Sequence, residues 1–158
     1  MAIRRIVEKG DSLLLKPSRV VEHFNRRLHT LLDDMRETLE QAQGLGLAAV
    51  QVGVLRRVVL VLDIENEELI ELINPVITTQ SGEQDGAEGC LSVPGLYGMV
   101  SRPMEVTVAA QNRHGKYFTV TGQGLTARAF CHELEHLDGK LFLDKVSRYL
   151  TEEELAQG

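Results

Sequence analysis

Two histidines separated by four positions, in the pattern His132-Glu133-Leu134-Glu135-His136, are the residues of this chain best suited to chemistry. At this spacing both imidazoles lie on one face of a helix and can bind a single metal ion. Glu133 follows the first histidine, where its carboxylate can act on a metal-bound water and not on the metal itself. A catalytic site of this type usually takes three ligands from the protein. The pattern therefore predicts a hydrolytic metal site whose third ligand comes from elsewhere in the chain.

Three completions of this site are open. One group of metalloproteases continues with a glycine and a third histidine, but Gly139 is followed by Phe142 at the histidine position. A second plan uses a downstream glutamate, and only those at 152–154, in a polar tail, are available. The third takes the thiolate of Cys90, and two imidazoles with one thiolate suit Zn²⁺ or Fe²⁺ with a position open for water. We favour Cys90 in a catalytic site, because a closed structural site would want a fourth ligand and would leave Glu133 without a role.

Length and composition are those of a globular protein, and we predict a single domain over residues 1–158. The net charge of −6 argues against a phosphate-backbone ligand, so direct binding of nucleic acid is not expected. The longest aliphatic run, residues 58–62, is too short to cross a bilayer. The first residues show no secretory pattern, so we expect a cytoplasmic, reducing setting in which Cys90 is a ligand and Cys131 a small buried apolar residue.

The elements that must position this site can be predicted from the spacing of apolar residues. Steps of three and four over 19–43 predict a long N-terminal amphipathic helix that ends at Gly44, preceded by an extended arm over 1–17. A second helix over 126–139 carries both histidines. Strands are predicted at 57–63, 69–79, 105–111 and 116–121, with a hairpin turn at 112–115 and a short helix after Thr151. This order predicts an α+β fold, with antiparallel or mixed sheets packed around a central metal-binding helix.

The stretch 44–51, Gly-Leu-Gly-Leu-Ala-Ala-Val-Gln, has two interpretations of its own. Its spacing is similar to a dinucleotide fingerprint, but its glycines follow a helix, whereas a Rossmann turn follows a strand. What is left is either a backbone that approaches another chain closely, with Gln51 as a neutral donor, or a simple passage from loop to strand. The stretch alone does not decide between these two.

Three motifs in one order resemble the peptide deformylase family over nearly the whole chain: residues 44–51, Glu88-Gly89-Cys90-Leu91-Ser92, and residues 132–136. Flanking segments agree, among them Asn74-Pro75, Val93-Pro94-Gly95, Arg102-Pro103 and Leu137-Asp138-Gly139. No long insertion separates the motifs, so the chain resembles the compact bacterial form. The resemblance implies hydrolysis of the formyl group from the N-terminal methionine of new polypeptides, with release of formate.

The resemblance also implies a role for each site residue. The metal ligands fall on Cys90, His132 and His136, and the ion is Fe²⁺, with Zn²⁺ or another divalent metal as the alternative, one per chain. The nucleophile is a metal-bound water, and Glu133 is its general base and later the general acid.

Two donors for the oxyanion are implied, the side chain of Gln51 and the backbone N–H of Leu91. The positions implied in peptide binding, of which the last two form the pocket for the methionine side chain, are Leu45, Gly46, Gly89, Leu125 and Ala129.

The implied partners are N-formylmethionyl nascent peptides, with the ribosome as a further candidate and no membrane. One position departs from the family, which usually has Asp where this chain has Glu135. We expect Glu135 to hold Arg102 or another cation on the His132 side of the helix, and its extra methylene to alter metal retention. Two rival hypotheses are a metallopeptidase that uses a tail glutamate, and a non-catalytic homologue that binds metal or formyl-peptide.

Overall fold

The computed structural model describes residues 2–157 and shows an α+β fold. The helices are α1 (Arg26–Ala42), α2 (Leu125–Leu137) and α3 (Glu152–Gln157). The strands are β1 (Gly46–Ala48), β2 (Val58–Asp63), β3 (Glu68–Ser81), β4 (Gln84–Cys90), β5 (Val93–Arg102), β6 (Glu105–Gln111), β7 (Tyr117–Gln123) and β8 (Val146–Tyr149). Short 3-10 helices lie at Ser12–Leu15, Ala49–Val52 and Phe142–Lys145.

The strands form two antiparallel sheets. The larger has the order β1-β2-β3-β6-β7 and the smaller the order β4-β5-β8. Helix α2 contacts four strands of the larger sheet and also β5 of the smaller one. The site helix therefore lies where the two sheets meet.

Both faces of the larger sheet are covered, which explains the unbroken aliphatic run in β2. Val59 and Val61 lie in the core shared with α2, whereas Val58 and Leu60 lie in the core shared with α1. Successive strand residues point to opposite faces, so a strand buried on both sides has no polar alternation.

None of the helices in the described range 2–157 combines the length and the apolar character that a membrane span requires.

Helix α1 begins at Arg26, so the prediction of a helix from residue 19 is wrong at its start. Asn25 caps α1, its side chain accepting the Leu28 N–H at 3.2 Å. Val21 is buried, but its N–H donates to Asn74 Oδ1 at 2.8 Å in a segment without helical structure. An extended segment that buries Val21 and partly buries Phe24 thus continued the helical period by coincidence. The helix ends at Ala42, two residues before the predicted stop at Gly44, and Gln43, with φ 56°, takes the left-handed conformation that closes it.

The four predicted strands correspond to β2, β3, β6 and β7, and the hairpin joining the last two turns at residues 112–115. The smaller sheet and β1 were not predicted. Strand β4 is rich in glycine and acidic residues and is exposed at several positions, so it shows no apolar alternation. The terminal helix has the expected capping box, in which the Thr151 hydroxyl accepts the Glu154 N–H and the Glu154 carboxylate accepts the Thr151 N–H.

The N-terminal arm has no regular structure to Glu8, turns at residues 9–10 and then forms the 3-10 helix at Ser12–Leu15; the sequence predicted neither the turn nor this helix. Its backbone joins two segments near the site. The Val7 N–H donates to the Gln51 carbonyl at 2.7 Å, and the Lys9 N–H donates to the Ser92 carbonyl at 2.7 Å. Met1, which belongs to the predicted arm, lies outside the described residues.

Candidate metal centre

Cys90, His132 and His136 come together, with one ligand atom from each within 4.8 Å of the others. Cys90 Sγ lies 3.4 Å from His136 Nε2, and the two imidazole centroids are 5.1 Å apart. Among residues 2–157 no other group of three His, Cys, Asp or Glu side chains has this arrangement. One thiolate and two imidazoles are a donor set that Zn²⁺ or Fe²⁺ prefers, so the residues present fit a divalent metal.

Separate parts of the fold supply these three candidate ligands. Both histidines are on α2, which is anchored by the buried residues Phe130, Leu134 and Leu137 in the core under the larger sheet. Cys90 is the last residue of β4 in the smaller sheet, just past an irregularity in its pairing with β5. The site therefore depends on how the two sheets are set against each other.

His132 is oriented by Glu88. Its Nδ1 lies 2.7 Å from Glu88 Oε1, which leaves Nε2 to face the cluster. The Glu88 carboxylate also accepts hydrogen bonds from Arg102, at 2.6 and 3.0 Å, and from Arg128 at 2.8 Å. Burial alone would raise the pKa of Glu88, but the hydrogen bonds from His132 and Arg102 outweigh it and hold that pKa far below its ordinary value.

Glu135 does hold Arg102, which donates from Nη1 to Glu135 Oε2 at 2.9 Å. A second cation, which the sequence did not indicate, shares that oxygen: Lys145 Nζ lies 2.6 Å from it. One oxygen of the Glu135 carboxylate thus contacts two cations.

Glu133 is buried beside the ligands, and within the described part of the chain its Oε1 has no hydrogen-bond partner. Burial raises the pKa of Glu133 to about 7. A Cβ at Gly46 would lie 2.7 Å from Glu133 Oε2, so a larger residue at this position of β1 would force the Glu133 side chain to shift. A carboxyl group with a pKa near neutrality can both take up and return a proton.

The pKa values of the two histidines are shifted in opposite directions. Burial and the neighbouring His132 lower the pKa of His136 to about 3, so this imidazole is neutral at pH 7, as a metal ligand must be. Burial would also lower the pKa of His132, but Cys90, Glu133 and Glu88 raise it above its ordinary value of 6.5. These groups together favour a positive charge between them, which a metal cation also supplies.

Gln51 is buried in the 3-10 helix Ala49–Val52. Its Oε1 accepts the Ala48 N–H at 2.9 Å, and its Nε2 donates to Ser92 Oγ at 3.0 Å and lies 3.6 Å from Cys90 Sγ. The amide donor of Gln51 is therefore turned toward the cluster.

A groove of about 440 Å³ leads to Cys90, His132 and Glu133. It is bordered by β1 and β4, the edge strands of the two sheets. The positions that the sequence predicted for peptide binding all line it: Leu45, Gly46, Gly89, Leu125 and Ala129. Leu91, the second predicted oxyanion donor, also lines the groove. Ala129 is buried, whereas the Leu125 side chain is 53% exposed at the rim.

Sequence reasoning missed Glu88, Arg128 and Ser92 as parts of the site. Two signals could have found the first two. Glu88 lies two positions before Cys90 and so points to the same side of a strand. Arg128 lies four positions before His132, on one face of a helix. Ser92 is the last residue of the motif that contains Cys90, but its contact with Gln51 depends on the fold and could not be predicted from the motif.

Comparisons with known proteins agree on one family. A family model described as polypeptide deformylase matches residues 3–152. The peptide deformylase of Caldicellulosiruptor bescii is 54% identical over 157 residues, covering 99% of this chain and 93% of that protein. Peptide deformylase 1 of Bacillus subtilis is 46% identical over 156 residues, covering 99% and 98%.

Solved structures give the same result. A peptide deformylase from Legionella pneumophila has a TM-score of 0.88 at 42% identity, covering 99% of this chain and 90% of that one. One from Ehrlichia chaffeensis, in complex with actinonin, has a TM-score of 0.90 at 37% identity, covering 93% and 90%. The chain, matched by sequence and by structure along nearly its whole length, belongs to the polypeptide deformylase family.

Proposed function

We propose that this protein is a peptide deformylase that removes the N-formyl group from the N-terminal methionine of new polypeptides and releases formate. The observation that carries this proposal is the buried Glu133, which has a pKa of about 7 and lies beside a Cys-His-His cluster that opens into a groove. Family membership supports the same reaction.

We take residues 1–158 as one metallohydrolase domain in which α2 is the central metal-binding helix and α1 the long N-terminal amphipathic helix. Cys90, His132 and His136 would hold the ion, proposed as Fe²⁺, with Zn²⁺ or another divalent metal as the alternative. When bound, such an ion supplies a Lewis acid that polarises a carbonyl and makes water a nucleophile near neutral pH.

Glu133 is proposed as the group that moves the proton. Its carboxylate takes a proton from the attacking water and returns it to the departing amine, so that formate and a free N-terminus result. Its burial supports this role, because a carboxyl group with a pKa near 7 serves well both as base and as acid. Gly46 leaves the space that this side chain needs.

Gln51 and the backbone N–H of Leu91 are proposed as donors to the oxygen of the formyl carbonyl. Ala48 holds the Gln51 amide with its Nε2 toward Cys90, so the donor is oriented before substrate arrives. Removing one donor of this kind typically costs about 2.7–4 kcal/mol in the barrier.

The peptide is proposed to lie extended in the groove between β1 and β4. Leu45, Gly46 and Gly89 would bind its backbone, since edge strands carry unpaired N–H and C=O groups. Ala129 and Leu125 would contact the methionine side chain. The groove lined by these five residues supports the arrangement.

Formylated nascent peptides place this activity in the cytoplasm, with the ribosome as a candidate partner. The rival metallopeptidase would need a ligand from the tail. Glu154 is paired instead with Arg148 at 2.8 Å, and the Cys-His-His cluster contains no tail glutamate among the described residues. These observations favour the deformylase.

The deciding experiment measures formate release from a formyl-methionyl tripeptide, with protein purified without oxygen and loaded with Fe²⁺. We expect formate and free amine in equal amounts, loss of both with a chelator, and no reaction of the acetyl-methionyl tripeptide. Cleavage between residues would support the peptidase. Tight binding of the formyl-peptide without hydrolysis would support a non-catalytic homologue.

A further inference from the structure

The 3-10 helix Phe142–Lys145 contacts α2 with both of its ends, once at His132 and once at Glu135. At one end, the buried Phe142 ring lies against the imidazole of His132, with centroids 5.7 Å apart and planes inclined by 31°. At the other end, Lys145 Nζ lies 2.6 Å from Glu135 Oε2. This short element follows α2 and is not part of the groove wall.

From Lys145 a continuous chain of contacts leads to the imidazole. The Glu135 oxygen that contacts Lys145 also accepts from Arg102 Nη1 at 2.9 Å. Arg102 Nη2 donates at 2.6 Å to Glu88 Oε1, and the same oxygen lies 2.7 Å from His132 Nδ1. Because Glu135 Oε2 and Glu88 Oε1 are each shared by two donors, moving one donor shifts the oxygen that the next one uses.

The inner links of this chain are dry and the outer one is exposed. The side chains of Arg102 and Glu88 are nearly completely buried, whereas that of Lys145 is 53% exposed. Arg102 contacts both oxygens of Glu88, through Nε and Nη2, which fixes the plane of the carboxylate. Charged contacts in such a setting are strong and directional, because little water competes with them.

We propose that the 3-10 helix Phe142–Lys145 is a positioning element for His132. Phe142 limits the tilt of the ring, and Lys145 holds Glu135, which through Arg102 and Glu88 directs the Nδ1–H and so aims Nε2 at the ion. The inference rests on the proposed function only in taking His132 as a metal ligand. Lys145, Glu135 and Arg102 are positioning residues, since none of them lines the groove.

The test compares Glu135→Gln, which keeps the length of the side chain but removes its charge, with wild type. We expect Co²⁺ affinity, measured by competition with a chelator, to fall about 10–100-fold. In the metal-free protein, the Nδ1 proton of His132, followed by NMR, should exchange faster with solvent. The kcat for a formyl-peptide should fall while KM stays within about twofold.

Lys145→Met tests the outer link. Because the Lys145 side chain is half-exposed, we expect this variant to fold even if the Glu135 variant does not. It should weaken Co²⁺ binding about two- to fivefold, and Lys145→Arg should restore it. In the Glu135→Gln background the same change should add nothing, because the route is already cut. Phe142→Leu should weaken binding additively with Lys145→Met, since Phe142 contacts the ring directly and Lys145 acts on it only through Glu135.

Arg148→Met is the matched control. Arg148 lies on β8, the strand that follows the 3-10 helix, and forms an exposed ion pair with Glu154 of α3. Removing this pair should leave every readout unchanged. The inference would be overturned if Glu135→Gln had the Co²⁺ affinity and Nδ1 exchange rate of wild type. It would also be overturned if the effects of Glu135→Gln and Lys145→Met simply added in the double variant. A wild-type protein that binds metal but releases no formate would instead defeat the proposed function, and the metal-free NMR comparison would still test the positioning.

Discussion

Glu133 combines burial, a pKa near neutrality and an oxygen without a protein partner among the described residues. Glu133→Gln keeps the size of the side chain but cannot accept a proton. We expect normal metal content, measured by elemental analysis, and a loss of turnover of about 10²–10⁴-fold. A Gln variant that releases formate at the wild-type rate would remove Glu133 from the proposed mechanism.

Cys90 can be tested with a control that the chain itself provides. Cys90→Ser replaces a soft thiolate with a harder oxygen and should weaken metal binding and abolish the sulfur-to-metal absorption band of the Co²⁺ protein. Cys131→Ser changes the buried thiol that precedes His132 but lies outside the cluster, and should keep that band. If both variants keep it, Cys90 is not a ligand.

At the residue scale, the sequence could predict what depends on identity and spacing. The ligands and Glu133 lie in short motifs, and the structure brings the three ligands together. The roles of the individual residues are still predictions. The contacts of Arg102 with Glu88 and Glu135 join segments that are distant in the chain. Only the pair with Glu135 was expected, because this carboxylate lies three residues after His132 on the same side of the helix.

Among the elements, α1, β3 and the β6–β7 turn are joined by Glu71. It accepts hydrogen bonds from Arg113, at 2.6 and 2.9 Å, and from Arg36 at 2.9 Å. Burial would raise the pKa of Glu71, but these two arginines outweigh it and hold the pKa below its ordinary value of 4.5. The folded state therefore prefers the ionised form, and this contribution to stability is present above about pH 4.5 and is lost as the pH falls further.

Glu71→Gln should lower the free energy of unfolding at pH 7 by about 1–3 kcal/mol, because both arginines lose an ionised partner. Urea unfolding at pH 7 and at pH 3.5 would measure it, with the difference between variant and wild type shrinking at the lower pH. Glu65→Gln, at an exposed turn position, is the control. A difference that does not change with pH would show that ionisation of Glu71 is not the cause.

The close approach of β1 to α2 gives a second prediction at this scale. Gly46→Ala places a methyl group 2.7 Å from Glu133 Oε2, and Gly46 does not have the positive φ that would strain alanine. We expect a folded protein that keeps its metal but turns over about 10²-fold more slowly, because Glu133 is displaced. Circular dichroism, metal analysis and formate release would separate these effects, and an unchanged rate would contradict the close contact.

Elements with both a strong period and a clear boundary were predictable, as β2 and the histidine helix show. The start of α1 was not, because the buried Val21 continues the apolar period through an extended segment held by Asn74. Strands β4, β5 and β8 were not predicted either. The smaller sheet contains exposed positions and, in β4 and β5, glycines, so its strands lack the alternation of apolar and polar residues that would have identified them.

Across the whole molecule, the candidate ligands come from two parts of the fold, with Cys90 on β4 of the smaller sheet and the histidines on α2, which packs on the larger sheet. An ion bound there would tie the two halves together and stabilise only the folded state. At about 100 times its dissociation constant, a ligand of this kind adds about 2.7 kcal/mol. We expect Zn²⁺ to raise the melting temperature and a chelator to reverse the change.

Calorimetry on the same preparation of Cys90→Ser provides the comparison, because its shift with Zn²⁺ should be smaller than that of wild type. Equal shifts would mean that the smaller sheet supplies no ligand.

The α+β class could be predicted from the order of the elements, but the pairing order of the strands could not, because it depends on contacts between distant segments.

The groove has strand edges for walls, β1 on one side and β4 on the other. Edges of this kind offer hydrogen bonds to a main chain, and every polypeptide has the same main chain. Selectivity would then be concentrated at the first residue and the formyl group, with little demand on the later residues of the peptide. Such a surface suits a housekeeping enzyme that must accept the start of every protein its cell makes, whatever sequence lies behind the initiator.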